Sequence, residues 1–250
     1  IEKARQLSAR MSSVRRVLRR LAQSIQMPTA SLKIRALGRG EVTFNGKAVN
    51  ISDWRSQSAR DLFFYFLNKQ EALTKEQIGQ EILHDVEDAQ ILKTRFKQDI
   101  YRLRKAVGRN TIVFEDECYE FNRDMDYEYD VEAFESYLKR TRHIDDTLER
   151  IAYYRKAINL YGGHYLSDVD DDWVLIERQR LKVIYINALA ELAWLYLDTN
   201  QLQECLDVCK QAITHDRYNE TIYQIEMRAY AAQGDRAAVA RRYREYKTIL

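Results

Sequence analysis

Amide, hydroxyl, phenol and cationic side chains are concentrated between residues 93 and 105. If this stretch is a helix, which turns about 100° per residue, one stripe holds its apolar residues, Leu92, Phe96, Ile100, Leu103 and Val107. The opposite side and its flanks carry the polar set: Lys93, Thr94, Arg95, Lys97, Gln98, Tyr101, Arg102, Arg104 and Lys105. Such side chains can hydrogen-bond to base edges in the DNA major groove and neutralise phosphates. A solvated basic helix face fits the same residues, so the stretch alone leaves both interpretations open.

The segments around this stretch predict strands, then three helices, then a hairpin. Residues 32–37 alternate apolar and polar side chains, and Asn45-Gly46 is a strong turn signal between strands at 42–44 and 49–51. Helices are predicted over 56–67, from a capping box at 74–77, and over 88–107, where Gly108 ends the third helix. Strands at 111–114 and 118–121 bracket the acidic segment 115–117. This is the order of a winged helix, a helix-turn-helix variant.

From residue 131 onward the sequence predicts helices with an internal repeat. One offset of 34 residues relates five pairs of positions: Ala193 and Met227, Tyr196 and Tyr230, Cys205 and Val239, Cys209 and Tyr243, Ala212 and Tyr246. This is the period of the tetratricopeptide repeat (TPR). A helix pair at 134–141 and 148–161 is interpreted as a divergent first member. Stacked repeats leave a concave surface that normally binds a partner rather than catalysing a reaction.

Residues that could hold a metal or perform catalysis form no recognisable constellation. Four histidines and three cysteines are scattered without metal-ligand spacing: His84, His143, His164, His215, Cys118, Cys205 and Cys209. The acidic cluster at 168–172 lacks the glycine and terminal glutamate of a calcium loop and is interpreted as charge at a helix N-terminus. No phosphate loop, nucleophile elbow or kinase signature is found. We therefore predict no metal, no cofactor and no enzymatic activity.

Charge is unevenly distributed along the 250 residues, although the net charge is only +2. Residues 1–30 carry seven basic and one acidic side chain, whereas residues 111–130 carry one basic and eight acidic side chains. The apolar content of 46% suffices for two modest cores. No apolar run approaches the roughly 20 residues of a spanning helix, and the sequence begins with charged residues, so a cytoplasmic protein without membrane contact is predicted.

Residues 1–29 are predicted to contain a basic amphipathic helix that ends near Pro28. Its apolar residues follow heptad spacing from Ala4 to Ile25. A linker helix from an upstream region is the favoured interpretation, and a dimeric coiled coil is the alternative. The first residue is Ile rather than Met, which suggests a piece of a longer polypeptide or a processed form.

Several segments carry a resemblance to known families. The winged-helix segments are residues 32–37, 60–63 (Arg-Asp-Leu-Phe), 100–107 (Ile-Tyr-Arg-Leu-Arg-Lys-Ala-Val) and 118–121 (Cys-Tyr-Glu-Phe). They are similar to the OmpR-type winged-helix domain. Residues 160–166 (Leu-Tyr-Gly-Gly-His-Tyr-Leu), with Asp171-Asp172-Trp173 and Glu177-Arg178, resemble the bacterial transcriptional activation domain. That domain follows an OmpR-type winged helix in the antibiotic regulatory protein family and related large regulators, and the resemblance covers roughly residues 31–250.

This resemblance implies promoter binding by the winged helix, often at direct repeats. The residues onto which it carries DNA contact are Thr94, Lys97, Gln98, Tyr101, Arg102, Arg104 and Lys105. It also implies oligomerisation and transcription activation through the second domain. The chain departs from the pattern at Leu83-His84, where Leu-Trp is frequent, and at Cys118-Tyr119, where Gly-Tyr is usual. The wing tip, Glu115-Asp116-Glu117, would be repelled by phosphates. One hypothesis is that this tip pairs with the basic residues of 1–25 and keeps the regulator closed.

Together the residues and the resemblance predict a mixed fold. Residues 30–128 should form an α+β winged helix with an N-terminal antiparallel sheet, three helices and a C-terminal hairpin. Residues 129–250 should form an all-α TPR-like domain. The expected function is a sequence-specific transcription regulator, an activator by resemblance. Its expected partners are double-stranded DNA, RNA polymerase or another protein at the TPR-like domain, and a second copy in a homodimer. The alternative is a TPR-type scaffold or signalling adaptor whose winged helix reads no sequence.

Overall fold

The computed structural model describes residues 31–82 and 88–249. The predictions for residues 1–29 and for Leu83-His84 lie outside the described residues. The chain divides into two compact units. The first comprises the described residues up to Arg35 together with Gly40–Tyr129, and the second comprises Ala36–Arg39 together with the described residues from Asp130 onward.

The first unit opens with a small sheet in the order β3-β2-β1-β7. Its strands are β1 (Leu32–Arg35), β2 (Glu41–Phe44), β3 (Lys47–Ala48) and β7 (Tyr127–Tyr129), and β1 is antiparallel to β2 but parallel to β7. The turn between β2 and β3 is Asn45-Gly46, and both residues have positive φ, 50° and 78°, as this hairpin type requires. The predicted turn is therefore confirmed.

The strand predicted at 49–51 is wrong. Ile51 begins a short helix, α1 (Ile51–Trp54), and Asn50 is its N-cap. The Asp53 carboxylate accepts a hydrogen bond of 2.8 Å from the backbone N–H of Asn50, which completes a capping box. The strand prediction followed the β-propensity of Val49 and Ile51. In the structure the backbone N–H of Asn50 donates to the Asp53 carboxylate, so Asn50 caps a helix and does not extend the hairpin.

Three helices follow: α2 (Gln57–Asn68), α3 (Lys75–Ile82) and α4 (Ala89–Val107). The capping box predicted at the start of α3 is present, since Thr74 and Gln77 exchange hydrogen bonds of 2.8 and 3.3 Å. Aromatic side chains fill the core between α2, α4 and the hairpin, with Phe63 in contact with Trp54 and Phe121.

The hairpin that ends the first unit is part of a three-stranded sheet. A 3₁₀ turn at Arg109–Thr111 leads into β5 (Ile112–Glu115), which pairs with β6 (Cys118–Phe121). A two-residue strand, β4 (Leu73–Thr74), pairs with the other edge of β6. This third strand was not predicted from the sequence. The architecture is a winged helix that opens with a sheet, as predicted.

The second unit is built from helices. Its elements are α5 (Asp130–Thr141), α6 (Thr147–Leu160), α7 (Asp172–Asp198), α8 (Leu202–His215), α9 (Glu220–Ala232) and α10 (Arg236–Ile249). The helices α8 and α10 begin and end 34 residues apart, which is the predicted repeat period. The mixed fold, a winged helix followed by TPR-like helices, is thus confirmed.

A short segment from the first part of the chain is built into this second unit. The backbone N–H groups of Ala36 and Leu37 donate to the carboxylate of Asp130, with distances of 2.9 Å. The carbonyl of Ala36 accepts from Leu166 at 2.8 Å, and Leu37 forms a bridge with Tyr165. No local pattern indicates this exchange, because residues 32–37 have the alternation of one uninterrupted strand.

The loop between α6 and α7 is organised by one guanidinium. Arg178 donates to the carbonyl oxygens of Tyr165, Leu166 and Val169 at 2.9, 2.6 and 2.7 Å. Tyr165 and Leu166 are completely buried, and Leu166 has a φ of 42°. The residues that carry the resemblance in this half of the chain, around 160–166 and at Arg178, are therefore structural residues of the second unit.

Candidate nucleic-acid interface

Helix α4 has well-defined ends, which fix the orientation of its side chains. The Asp88 carboxylate accepts hydrogen bonds from the backbone N–H groups of Gln90 and Ile91 at 2.7 and 3.0 Å. The last turn carries Arg104 and Lys105, cations that interact favourably with the negative end of the helix dipole. The helix ends at Gly108, whose φ of 97° favours glycine, although its ψ of 150° is not that of the left-handed cap predicted from the sequence.

The buried face of α4 is the predicted apolar stripe. Phe96, Leu103 and Val107 are at most 1% exposed, and Ile100 is also buried. Near the start of the helix, α3 approaches closely at Gly79, since a Cβ placed there would lie 2.8 Å from Leu92 Cδ1. Helices α3 and α4 therefore pack as the close pair of a helix-turn-helix, with the polar side of α4 facing outward.

The predicted polar residues fall into two groups by exposure. Six are exposed: Lys93, Thr94, Lys97, Gln98, Tyr101 and Lys105. Tyr101 is the most prominent aromatic side chain of this row, with 64% exposure. The hydroxyl of Thr94 donates to the carbonyl of Gln90 at 2.9 Å, which leaves its methyl group and lone pairs outward. The exposed row offers amide, phenol, ammonium and hydroxyl groups along one side of α4.

The other three predicted residues, Arg95, Arg102 and Arg104, are half-buried. Arg102 donates to the carboxylate of Asp99 at 3.1 Å, and Arg104 donates to the carbonyl of Ile112 on β5 at 2.9 Å. These contacts tie the two guanidinium groups to the protein. The sequence predicts DNA contact for both, because a helical wheel does not show which cations have partners inside the unit.

Asp99 is a polar residue that the sequence reasoning missed. It is 2% exposed and accepts hydrogen bonds from the hydroxyls of Ser56 and Ser58, at 3.0 and 2.7 Å, besides the one from Arg102. These contacts join the start of α2 to the middle of α4. One sequence feature could have indicated its role: Asp99 directly precedes Ile100, a residue of the apolar stripe of α4.

A groove of about 600 Å³ lies between α4 and the hairpin. Its lining residues are Lys97, Ile100, Tyr101, Arg104, Lys105, Arg109 and Tyr119. Four of these seven are cations and none is acidic. Tyr119 forms one wall and packs against Phe96 and Phe114, with ring centroids 5.0 and 4.5 Å apart. Arg109 and Tyr119 were not singled out from the sequence, although Arg109 continues the basic run beyond Gly108.

The hairpin tip is acidic and exposed. Glu115 pairs with Cys118, so the turn consists of Asp116 and Glu117, which have φ of 50° and 60° without a glycine. All three acidic side chains are exposed, and Phe114 beside them is 54% exposed. The groove and the hairpin tip thus carry opposite charges on the same unit.

Other kinds of site find little support in the described residues. Across 31–82 and 88–249, no group of three or more His, Cys, Asp or Glu side chains could hold a metal ion. In the same residues no helix has the length and apolar character needed to cross a membrane. Within this part of the chain, the basic groove beside α4 is therefore the strongest candidate for a functional site.

Comparisons with known proteins agree with this architecture. Residues 129–250 match the family model described as the bacterial transcriptional activator domain. Among solved structures, the chain is similar to Mycobacterium tuberculosis EmbR in complex with a low affinity phosphopeptide, with a TM-score of 0.77 and 15% sequence identity. The match covers 88% of this chain and 60% of that chain, so this chain spans less than two thirds of the EmbR structure. The curated proteins contain no match.

The fold and the family match define the class of protein. The chain has a fold similar to that of EmbR, in which a winged helix precedes TPR-like helices. Residues 129–250 are similar to the bacterial transcriptional activator domain over just under half of the chain. The resemblance noted in the sequence is thereby confirmed for the second unit, and the EmbR-like fold is consistent with an OmpR-type winged helix in the first.

Proposed function

We propose that the protein is a sequence-specific DNA-binding regulator that activates transcription and reads the major groove with α4. The observation that carries this proposal is the exposed polar row of α4, which lies beside a groove lined by four cations and no carboxylate. A helix that is capped at its start and packed along one face presents such a row rigidly. An α-helix of this kind fits the width of the major groove.

The residues divide into base-reading and phosphate-binding groups. Gln98 and Lys97 are exposed in the middle of α4, where a recognition helix lies deepest, and their amide and ammonium groups can bond to adenine and guanine edges. Lys105 and Arg109 lie at the end of the helix and beside the groove, where they can neutralise phosphates. Arg102 and Arg104 act as positioning residues, because both are bound to protein groups.

The hairpin does not fit a minor-groove contact. Its tip presents three exposed carboxylates, and charges of the same sign as the phosphates repel them within about 10 Å at 0.1 M salt. Specificity for DNA sequence is therefore proposed to come from α4. The acidic tip is proposed either to stay clear of the DNA backbone or to lower the affinity of the protein for DNA.

The second unit is proposed to bind RNA polymerase, another protein or a second copy of the chain. A groove of about 540 Å³ between α6 and α8 favours protein binding, because its lining combines exposed Leu148 with Arg155, Glu204 and Asp207. This groove also supports the second candidate function, a scaffold or adaptor whose winged helix reads no sequence. The two functions differ in whether the chain selects DNA sequences.

A selection from a random pool of duplexes tests the proposal. The full chain should enrich one sequence, and Gln98→Ala should relax the preference at one base pair by about 1–3 kcal/mol. Gln179→Ala is the matched control, because Gln179 is an exposed glutamine of α7 in the other unit. The proposal fails if Gln98→Ala selects the same sequences as strongly as the unchanged chain. Enrichment of no sequence at all would favour the adaptor.

A further inference from the structure

Helix α10, the last helix that the structure describes in the second unit, is strongly basic. Among its 14 residues are five cations, Arg236, Arg241, Arg242, Arg244 and Lys247, and one carboxylate, Glu245. The exposed residues of the preceding helices α8 and α9 are of mixed sign, for example Glu204 and Lys210 in α8. The excess of five cations over one carboxylate distinguishes α10 from α8, its repeat partner 34 residues earlier.

The inward face of α10 is fixed by one ion pair and one aromatic contact. Arg242 donates to the Glu226 carboxylate at 2.7 Å, and Glu226 is fully buried. Tyr246 packs against Tyr223, with ring centroids 4.7 Å apart. The one carboxylate of the helix, Glu245, is bound by the same Arg242. The one carboxylate of α10 is therefore exposed but bound by Arg242, and the other four cations of the helix have no carboxylate partner among the described residues.

The outward face carries four cations and one phenol. Arg236, Arg241, Arg244, Lys247 and Tyr243 are all exposed. In the described part of the chain no carboxylate lies within ion-pair distance of Arg236, Arg241 or Lys247. Arg244 donates only to the carbonyl of Ala240 in its own helix. These positive charges are available to a partner.

This arrangement is unfavourable for the helix itself. Arg236 stands in the first turn, where the helix dipole disfavours a cation. The one carboxylate at this end, Asp235, precedes the helix and accepts a hydrogen bond from the backbone N–H of Ala238 at 2.9 Å. Arg244 has like-charged neighbours three residues before and after it, Arg241 and Lys247, and such pairs destabilise a helix. A bound polyanion would relieve both effects.

We propose that the outward face of α10 binds the phosphate backbone of duplex DNA without reading its sequence. The step from Arg241 to Arg244 and from Arg244 to Lys247 is three residues, about 4.5 Å of helix axis. Duplex DNA carries one negative charge per about 1.7 Å of its axis, so a row of this density meets several phosphates. The contact is separate from base reading by α4 and would add affinity that falls with salt.

The face fits nucleic acid better than a protein partner. Protein interfaces have an apolar core enriched in large side chains. Apart from the cations and Tyr243, the exposed residues of α10 are Ala237, Ala240, Thr248 and the Arg242-bound Glu245. Small side chains let the helix approach a backbone closely, and Tyr243, 57% exposed, can donate a hydrogen bond to a phosphate. An acidic protein segment is the competing partner, and the experiment separates the two.

The test measures binding of the full chain to a duplex of scrambled sequence, between about 50 and 200 mM salt. The variant is Arg241→Gln, Arg244→Gln and Lys247→Gln together, which leaves half-buried Arg242 in place. The slope of log K against log salt should become shallower by about 0.9 for each phosphate that the variant no longer neutralises. The single change Arg244→Gln should make the same slope shallower by a smaller amount. This variant serves as a second measurement if the triple variant is unstable.

A matched control removes the same net charge from the same unit. It changes Lys139, Lys156 and Lys210 to Gln, three exposed lysines of α5, α6 and α8. Its slope should stay near that of the unchanged chain. Equal slopes for the α10 variant and this control would overturn the proposal, as would an unchanged chain that does not bind the scrambled duplex at low salt.

A polyglutamate probe identifies the competing partner. If the α10 variant loses polyglutamate binding while its DNA slope is unchanged, the face binds acidic protein and the proposal is wrong. The outcome is independent of base reading by α4. Loss of sequence preference in the selection experiment would remove the proposed function but would not alter the salt slope on a scrambled duplex.

Discussion

At the scale of single residues, Asp99 explains why the polar side of α4 is not uniform. Its buried carboxylate accepts hydrogen bonds from the Ser56 and Ser58 hydroxyls, which join α2 to α4. It also binds the Arg102 guanidinium of its own helix, so one of the cations expected to meet DNA already has a partner within α4. A helical wheel predicted the buried stripe correctly, because burial follows from periodicity. The wheel places Asp99 one turn before Arg102 but does not show that this carboxylate is buried and binds Arg102. It also could not predict the partner of Arg104, because Ile112 is brought near only by the tertiary fold.

Asp99→Ala should destabilise the first unit without changing the selected DNA sequence. The substitution leaves the Ser56 and Ser58 hydroxyls and the Arg102 guanidinium without their acceptor, which should lower the free energy of unfolding by about 1–3 kcal/mol. Urea unfolding measures this decrease. Asp207→Ala is the control, because that carboxylate is exposed and its pair with Lys210 should contribute less than about 1 kcal/mol. A stable Asp99→Ala chain that selects a different sequence would instead place Asp99 among the specificity residues.

At the scale of elements, predictions from the sequence succeeded where a local signal fixes the structure. The Asn45-Gly46 turn, the capping box at Thr74 and the 34-residue repeat are all local signals, and the structure contains each of them. Elements that depend on distant partners were missed. Strand β7 exists because residues 127–129 pair in parallel with β1. Strand β4 exists only as the partner of β6.

The acidic hairpin tip offers a test of how the winged helix limits non-specific binding. Replacing Glu115 and Glu117 with Gln and Asp116 with Asn removes three exposed negative charges beside the basic groove. If α4 binds DNA, affinity for a scrambled duplex should rise at low salt, and the gain should shrink as salt rises and screens the repulsion. Anisotropy titrations at several salt concentrations measure it.

The control for the tip is a neutralisation of equal size far along the chain. Glu204, Asp207 and Glu220 are exposed carboxylates of α8 and α9, and their amide variants should change affinity for the duplex less than the tip variants do. Equal gains from both sets would mean that net charge, and not the position of the tip, determines the effect.

At the scale of the whole molecule, the two units have different internal chemistry. The first unit is held by an aromatic core and by the Asp99 contacts, whereas the last repeat of the second unit contains a buried ion pair between Glu226 and Arg242. Burial raises the pKa of Glu226, an effect that the nearby Arg242 only partly offsets. The pKa of Arg242 is raised by its two carboxylate partners against the effect of burial, which favours the ion pair. Burial dominates the pKa of Glu226, because that side chain has no exposed surface.

The stability of the second unit should therefore depend on pH through Glu226. Because its folded-state pKa is raised, Glu226 stabilises the fold below its ordinary pKa of 4.5, and this contribution is lost as pH rises through the folded-state value. The amide side chain that Glu226→Gln introduces cannot ionise, so the variant does not lose this contribution. As pH rises from 4.5, the free energy of unfolding of the variant should therefore increase relative to that of the unchanged chain. Urea unfolding at a series of pH values measures the difference, with Glu220→Gln as the exposed control. A difference that moves the opposite way would mean that the ion pair outweighs burial.

Base reading by α4 and backbone binding by α10 should contribute independently to DNA affinity. The two sets of residues lie in separate units and address different groups of the DNA, so their effects on binding free energy should add within about 0.3–0.5 kcal/mol. The experiment combines Gln98→Ala with the three glutamine changes in α10 and measures binding to the selected duplex. Gln98→Ala alone should lower the preference over a scrambled duplex and leave the salt slope unchanged, and the α10 variant should do the reverse. A combined effect that departs from the sum by more than this margin would show that α4 and α10 are coupled when the chain is on DNA.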